Sequence, residues 1–229
     1  PPEPPDNRIV IVGINEADVK NIEEADFSDR TYAKLLNKLK ARQPRAIGLD
    51  IYRNIPVEPG HQELVQIFKS TPTLVGIQKV VGDSKGEAVA PPQALLENKQ
   101  AQVGANDFLI DADGKVRRSF FYVSDGNGET VYSFGLLLAM HYLDKQGISP
   151  NADERDIWTL GKAVVVPFEA NDGGYVRAEA GGYQILLNYR GASRHFQTVS
   201  ITDVLDDKLP PDWGRDRIIL IGKVGQSFN

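Results

Sequence analysis

Four places in the chain carry residue types that could do chemistry. The first is Asp111-Ala112-Asp113-Gly114, which closes the apolar run Phe108-Leu109-Ile110. An Asp-x-Asp-Gly after a buried strand can serve phosphoryl transfer, the first carboxylate attacking phosphorus and the second moving the proton. The same acids could open a calcium loop, or they could flank a plain hairpin bend. The second place is Asp50, behind the apolar run Ala46 to Leu49. The third is the scattered set His61, His141 and His195, and the fourth is Gly222-Lys223-Val224-Gly225 near the end.

A phosphatase of the haloacid-dehalogenase type needs Thr where this chain has Lys115, and needs the motif after its first strand. Here it arrives at position 111, behind residues that already spell a βαβ unit, and the late acidic pair Asp206-Asp207 falls near the end of an expected helix. A calcium loop needs Gly at its sixth position and an acid at its fifth. Gly114 is instead fourth and Lys115 fifth, with Arg117 and Arg118 beside them. Both readings yield to a turn in which Asp113 and Gly114 make the bend, Gly because it takes positive φ without steric cost. Asp111, Asp113 and Gly114 are then structural. Strand alternation sends Arg117 and Arg118 to opposite sides of the sheet. The one facing inward needs a carboxylate, and Asp50 and Glu16 are the expected partners.

The three histidines lie on separate expected elements with no partner at helical spacing, so no metal site is expected from them. Gly222-Lys223 fits no phosphate-binding loop, because Arg217 and Val224 stand where Gly and Ser or Thr are required. Nothing calls for a cofactor or for catalysis. Asp50 keeps two readings, a ligand-binding carboxylate at a strand's carboxyl end or a structural partner of Arg53 or Arg117.

The elements that must position these residues are legible as apolar patterns. Ile9 to Val12 reads as a buried strand ending in a polar loop at Gly13-Ile14-Asn15-Glu16. A helix capped by Ser28 or Asp29 follows, with Tyr32, Leu35, Leu36 and Leu39 at helical spacing and Pro44 as its stop; Ala46 to Ile51 is the next strand. Strand, helix and strand so close together form a parallel βαβ unit. Beyond it a helix is expected at 61–70, strands at 73–81, 103–106, 108–110 and 116–123, and a turn at 125–129. A helix ending at Gly147 is followed by short strands near 163–168 and 183–189. A helix capped by Ser200 or Thr202 and stopped by Pro210-Pro211 precedes a last strand at 218–221. The fold class is therefore α/β, with a mixed, mainly parallel central sheet, flanking helices and an added antiparallel hairpin.

Composition narrows the function further. With 229 residues, 41% of them apolar, the chain can bury an ordinary core. Its 26 basic and 31 acidic residues give a net charge of -5 with no basic stripe, which argues against a nucleic-acid partner. There is no cysteine, and no apolar run nears the roughly 18 residues of a membrane helix. The Pro-rich start at 1–8 reads as an extended lead-in to one domain at 9–229, and the missing initiator Met suggests a piece cut from something longer.

Four stretches in this order carry a family resemblance: "VIVGINEADV", "DRTYAKLLNKLKARQPRAIGLDIY", "DADGKVRRSFFYV", and "FQTVSITDVL" running on to "DRIILIGKVG". Together they resemble the CHASE domain of the second type, the extracellular input module of bacterial membrane-bound histidine kinases, adenylate cyclases and serine/threonine kinases. The family's first loop often begins with Asp where this chain has Asn15, and in place of its usual Trp-Pro-Arg stands Phe27-Ser28-Asp29-Arg30, only Arg30 matching. The resemblance implies a non-enzymatic sensor, extracellular or periplasmic, that reaches the membrane only through flanking helices and acts as a homodimer in the full receptor. An unidentified small molecule would be its ligand. Asn15, Glu16, Asp50, Arg53, Gln78 and Arg117 are the candidates to contact it, since strand ends and the adjoining turn would gather them at one rim of the sheet. A dimerisation or spacer module without a ligand is the alternative, and a phosphatase built on Asp111 the next.

Overall fold

A computed structural model describes residues 4, 6–81, 87–191 and 195–224. The lead-in at 1–8 thus lies partly outside the described residues, as do 82–86 of the long loop and Gly225 after the last strand.

The centre is a six-stranded parallel sheet. Its members are β1 (Ile9–Ile14), β2 (Ala46–Leu49), β3 (Leu74–Gln78), β4 (Val103–Ala105), β12 (Gln197–Ser200) and β13 (Ile218–Lys223), in the order β12-β1-β13-β2-β3-β4. Every residue of β2 and β3 is buried, the signature of strands covered on both faces. On one face lie α1 (Glu16–Ile22), α2 (Asp29–Ala41), α3 (His61–Lys69) and α6 (Ile201–Leu205). There Val10, Val12, Ile47 and Leu49 pack with Leu35, Leu36, Leu64 and Val204 in one cluster. The alternate residues Ala46, Val75 and Ile218 turn to the other face and meet Leu137 and Leu138 of α5 (Phe134–Asp144). Gly48 lets α5 lie close: a Cβ there would stand 2.6 Å from Phe134 Cζ and 2.8 Å from Leu138 Cδ1.

Between β4 and β12 the chain builds two antiparallel sheets. The 3-10 turn Gln93–Asn98 and α4 (Lys99–Gln102) lead into β4. Then β5 (Phe108–Ile110), β6 (Val116–Ser124), β7 (Thr130–Tyr132) and β11 (Tyr183–Leu186) pair around β6, while β8 (Pro150–Ala152), β9 (Trp158–Leu160) and β10 (Ala163–Val165) form a meander. A parallel bridge from Ala105 to Ser133 joins the antiparallel part to the parallel sheet. Rings of Phe121, Tyr183 and Trp158, with centroids 5.3 Å and 5.5 Å from Phe121, fill the space between β6, β9 and β11.

Three local readings change. The polar loop expected at 13–16 shrinks to Asn15, since β1 runs on to Ile14 and a helix, α1, starts at Glu16, where Asn15 and Asp18 cap each other's backbone reciprocally. Residues 197–200 add a strand, β12, ahead of the last helix, and of the two expected caps Ser200 is the one used: it ends β12 and caps α6 in the same step. Val131 and Tyr132 belong to β7, so α5 begins only after the cap Ser133. Its end fits the glycine expected there, with Gly147 at φ 68° and its N–H donating to Asp144 O at 2.9 Å.

Candidate functional site

Parallel strands deliver their carboxyl ends to one edge, and at this edge the loops after β1, β2, β3 and β4 place Asn15, Asp50, Lys79 and Asn106. Asn15 is committed to the backbone: its Oδ1 accepts from Ala17 N at 2.8 Å and Asp18 N at 3.1 Å. Asp18, 1% exposed, returns the favour to Asn15 N at 2.9 Å and accepts Thr202 Oγ1 at 2.7 Å and Ser200 Oγ, which ties α1 to α6. Glu16 points outward from the first turn of α1 and is exposed.

Asp50 stands near the middle of the edge, its own N–H donating to Ile221 O at 2.8 Å. Solvent reaches one side of the carboxylate, but protein fills most of its surroundings, and that desolvation pushes its pKa above the ordinary value. Among the described residues its one side-chain hydrogen bond comes from Asn106 Nδ2 at 3.4 Å. Asn106 Oδ1 in turn accepts from Tyr52 OH at 2.8 Å. The resulting chain, Asp50 to Asn106 to Tyr52, ends at a cavity of about 610 Å³. Tyr52, Lys79 and Asn106 wall it from the parallel sheet, and Phe108, Ile110 and Phe120 from the antiparallel one. Asp107 beside it is spent on Val80 N at 2.9 Å and Val81 N at 2.7 Å. Gln78 is buried at the end of β3, its carbonyl accepting from Asn106 N at 3.1 Å.

Arg53 leaves this edge. Its side chain is 4% exposed, 3.4 Å from Asp29, donates to Phe27 O, and lies over the Tyr32 ring at 4.3 Å from the centroid. Asp29 also meets His61 Nδ1 at 2.8 Å.

Arg117 and Arg118 lie further off, at the hairpin. The chain reverses across 111–115, with Gly114 at φ 78° and Asp111 N donating to Lys115 O at 2.8 Å. The two arginines differ in burial but converge on one carboxylate, Asp111. The inward one is Arg118, and its partners are neither Asp50 nor Glu16, because Asp111 of its own hairpin is nearer. It donates to Asp111 Oδ1 at 2.6 Å, Glu179 O at 2.7 Å and Gln184 Oε1 at 2.9 Å. Arg117, half exposed, binds Asp113 at 2.7 Å and Asp111 at 3.1 Å. Tyr175 OH donates to Asp111 Oδ2 at 2.7 Å. These donors hold the Asp111 carboxyl below its ordinary range, Tyr175 foremost, and Arg117 lowers Asp113 to about 2. Both oxygens of Asp111 are thus engaged, and no lone pair is left in position to attack phosphorus. Among the described residues no group of three or more His, Asp or Glu side chains is placed to hold a metal ion.

A family model described as CHASE2 domain matches residues 1–229. The chain belongs to the CHASE2 domain family. These are extracellular sensory domains of signalling proteins, sensory rather than catalytic. No curated protein and no solved structure matches the chain. Among the described residues of this CHASE2 domain, no helix is long and apolar enough to cross a membrane.

Of the six candidate residues, the CHASE2 fold brings Asn15, Glu16, Asp50 and Gln78 to the carboxyl edge and sends Arg53 and Arg117 to two other places. Asn106 and Tyr52, the groups that complete the edge, were missed. Asn106 closes a short strand expected at 103–106, and its position at a strand end was the available signal. The Asp29–Arg53–His61 cluster carries no local signal at all, since its members come from three separate segments.

Proposed function

We propose that this CHASE2 domain is the extracytoplasmic input module of a bacterial membrane-bound signalling protein, a histidine kinase, adenylate cyclase or serine/threonine kinase. Residues 9–229 act as one sensory unit. Membrane contact is made by helices outside this segment, nucleic acid plays no part, and the full receptor is a homodimer. The observation that carries the ligand reading is the Asp50–Asn106–Tyr52 chain at the mouth of the 610 Å³ cavity. A partly desolvated carboxylate held by one long hydrogen bond costs stability, and such a cost is tolerated where a ligand repays it.

The cavity's position supplies a mechanism. Its polar wall belongs to the parallel sheet and its apolar wall to the antiparallel one. A small polar molecule with an apolar portion that touches both walls favours one setting of the two sheets, and the output domain reads that population. In the intact receptor, Asn106→Trp fills the cavity and is expected to fix output at one level. A variant receptor that still responds as the parent does would remove the ligand reading. The competing reading is a spacer that pairs two chains without a ligand. What favours it is the edge strand β5, where Phe108 and Ile110 are 70% and 58% exposed. In that case Phe108→Lys would lower the output by dissociating the dimer, and Asn106→Trp would do nothing.

A further inference from the structure

The charge of the molecule that fits the carboxyl edge can be read from the groups around it, given that a ligand is read there. Asp50 stands 3.4 Å from Asn106 Nδ2 and two residues before Tyr52, and both neighbours belong to the wall of the 610 Å³ cavity. Solvent reaches one side of its carboxylate. Oδ1 accepts only the long bond from Asn106, and Oδ2 accepts none from the described residues. No cation among them offsets the charge, and desolvation holds the pKa above its ordinary value. Other carboxylates of the fold are treated differently: Asp111 meets two arginines, Asp29 meets Arg53 and His61, and Asp107 accepts from two backbone N–H groups. Asp50 thus keeps unused acceptor capacity that solvent can reach, next to a cavity.

The surroundings point to the same sign. The charged residues lining the cavity are Glu87 and Asp107 against Lys79. At Tyr52, whose pKa burial raises first, Asp107 and Asp50 both push it further up. Tyr52 OH spends its proton on Asn106 Oδ1, so its oxygen is left as an acceptor too. A carboxylate entering here meets like charge at Asp50, and a hydroxyl brings one proton and no charge. An ammonium brings three N–H donors and the positive charge that Asp50 lacks. We propose that the edge site binds a primary amine on a short apolar body, its ammonium donating to Asp50 and its body passing Tyr52 to lie against Phe108 and Phe120. This assignment rests on the ligand reading above and adds to it the chemical class of the ligand. It also gives each wall a part, since the head group holds the parallel sheet and the body the antiparallel one.

Phenethylamine is a direct probe, titrated at pH 7 into the ¹⁵N-labelled chain and followed by amide chemical shifts, with 2-phenylethanol and 3-phenylpropionate as its neutral and anionic counterparts. Saturable shifts are expected at residues 50–53 and 106–109, with a dissociation constant on the order of 1 mM for so small a ligand. The alcohol should bind about tenfold more weakly, because it forgoes a charge-assisted hydrogen bond, and the acid more weakly still. Asp50→Asn should bring the amine down to the level of the alcohol while leaving the alcohol unchanged. Equal affinity of amine and alcohol, an amine affinity untouched by Asp50→Asn, or no saturable shift with the amine would overturn the proposal. The ligand reading itself is judged separately, by receptor output in Asn106→Trp: output fixed there beside a failed amine titration would sink the amine and keep the site, whereas a receptor that responds as the parent does would sink both.

Discussion

Replacing Asp29 by asparagine removes the one carboxylate paired with Arg53 among the described residues. The Asp29 and Arg53 side chains are 2% and 4% exposed, so water cannot take over the role. Breaking a buried pair by removing one partner costs about 3–5 kcal/mol. For a chain of this size each kcal/mol moves the melting temperature by about 2–4 °C, so a fall of roughly 6–20 °C is expected for Asp29→Asn. Thermal unfolding by circular dichroism measures it. Arg53→Met tests the other half, since it leaves Asp29 buried with only His61 Nδ1 and Val57 N beside it, and the double variant removes both members of the pair. Its loss of stability should therefore fall short of the sum of the single losses by about 0.5–3 kcal/mol. A melting temperature within about 2 °C of the parent for Asp29→Asn, or strict additivity in the cycle, would refute the reasoning that these charges form one desolvated unit.

Two further outcomes follow from the packing and the edge. Burial raises the pKa of Asp50 above 3.8, so the folded state keeps this proton to higher pH than the unfolded chain does. Its favourable contribution is then fully present at low pH and is lost as pH rises through the window between 3.8 and the raised value. Asp50→Asn should accordingly raise the melting temperature at pH 7 and change it little at pH 3; equal effects at both values would show that the carboxylate is not desolvated. At Gly104 an added Cβ would stand 2.4 Å from Phe134 Cα, which is backbone and cannot swing aside. Gly104→Ala should cost at least about 1–3 kcal/mol in urea unfolding, whereas an unchanged midpoint would mean that α5 can move off the sheet freely.

How much could be read in advance divides by physical range. Apolar runs such as Leu74 to Gln78, and the stripe Tyr32, Leu35, Leu36 and Leu39, announce buried strands and an amphipathic helix because burial imposes a period on the chain itself. The hairpin at Asp113-Gly114 is legible for the same reason, since the bend is decided within four residues. The helix α1 escaped because seven residues give too short a period to detect, and its Asn15-Asp18 capping box is a less familiar pair than Ser-Glu. Partners of charged residues escaped altogether. Nothing local tells Arg118 to choose Asp111 over Asp50, or Arg53 to choose Asp29 over the sheet edge; those choices are made by register and by which loop folds over which helix. Asp50, by contrast, was identified from its place after a parallel strand, and its desolvated setting beside Asn106 is what such a place provides.

The measurement closest to the central claim is a thermal-shift screen of this chain against small polar molecules, run in parallel on Asn106→Ala. A ligand at a hundred times its dissociation constant stabilises the folded state by about 2.7 kcal/mol, a rise of roughly 5–11 °C here. The expected result is at least one compound that raises the parent's melting temperature by that amount and fails to raise that of Asn106→Ala. A full screen without a stabiliser, or stabilisers to which both proteins respond equally, would contradict a ligand read at the Asp50–Asn106–Tyr52 edge.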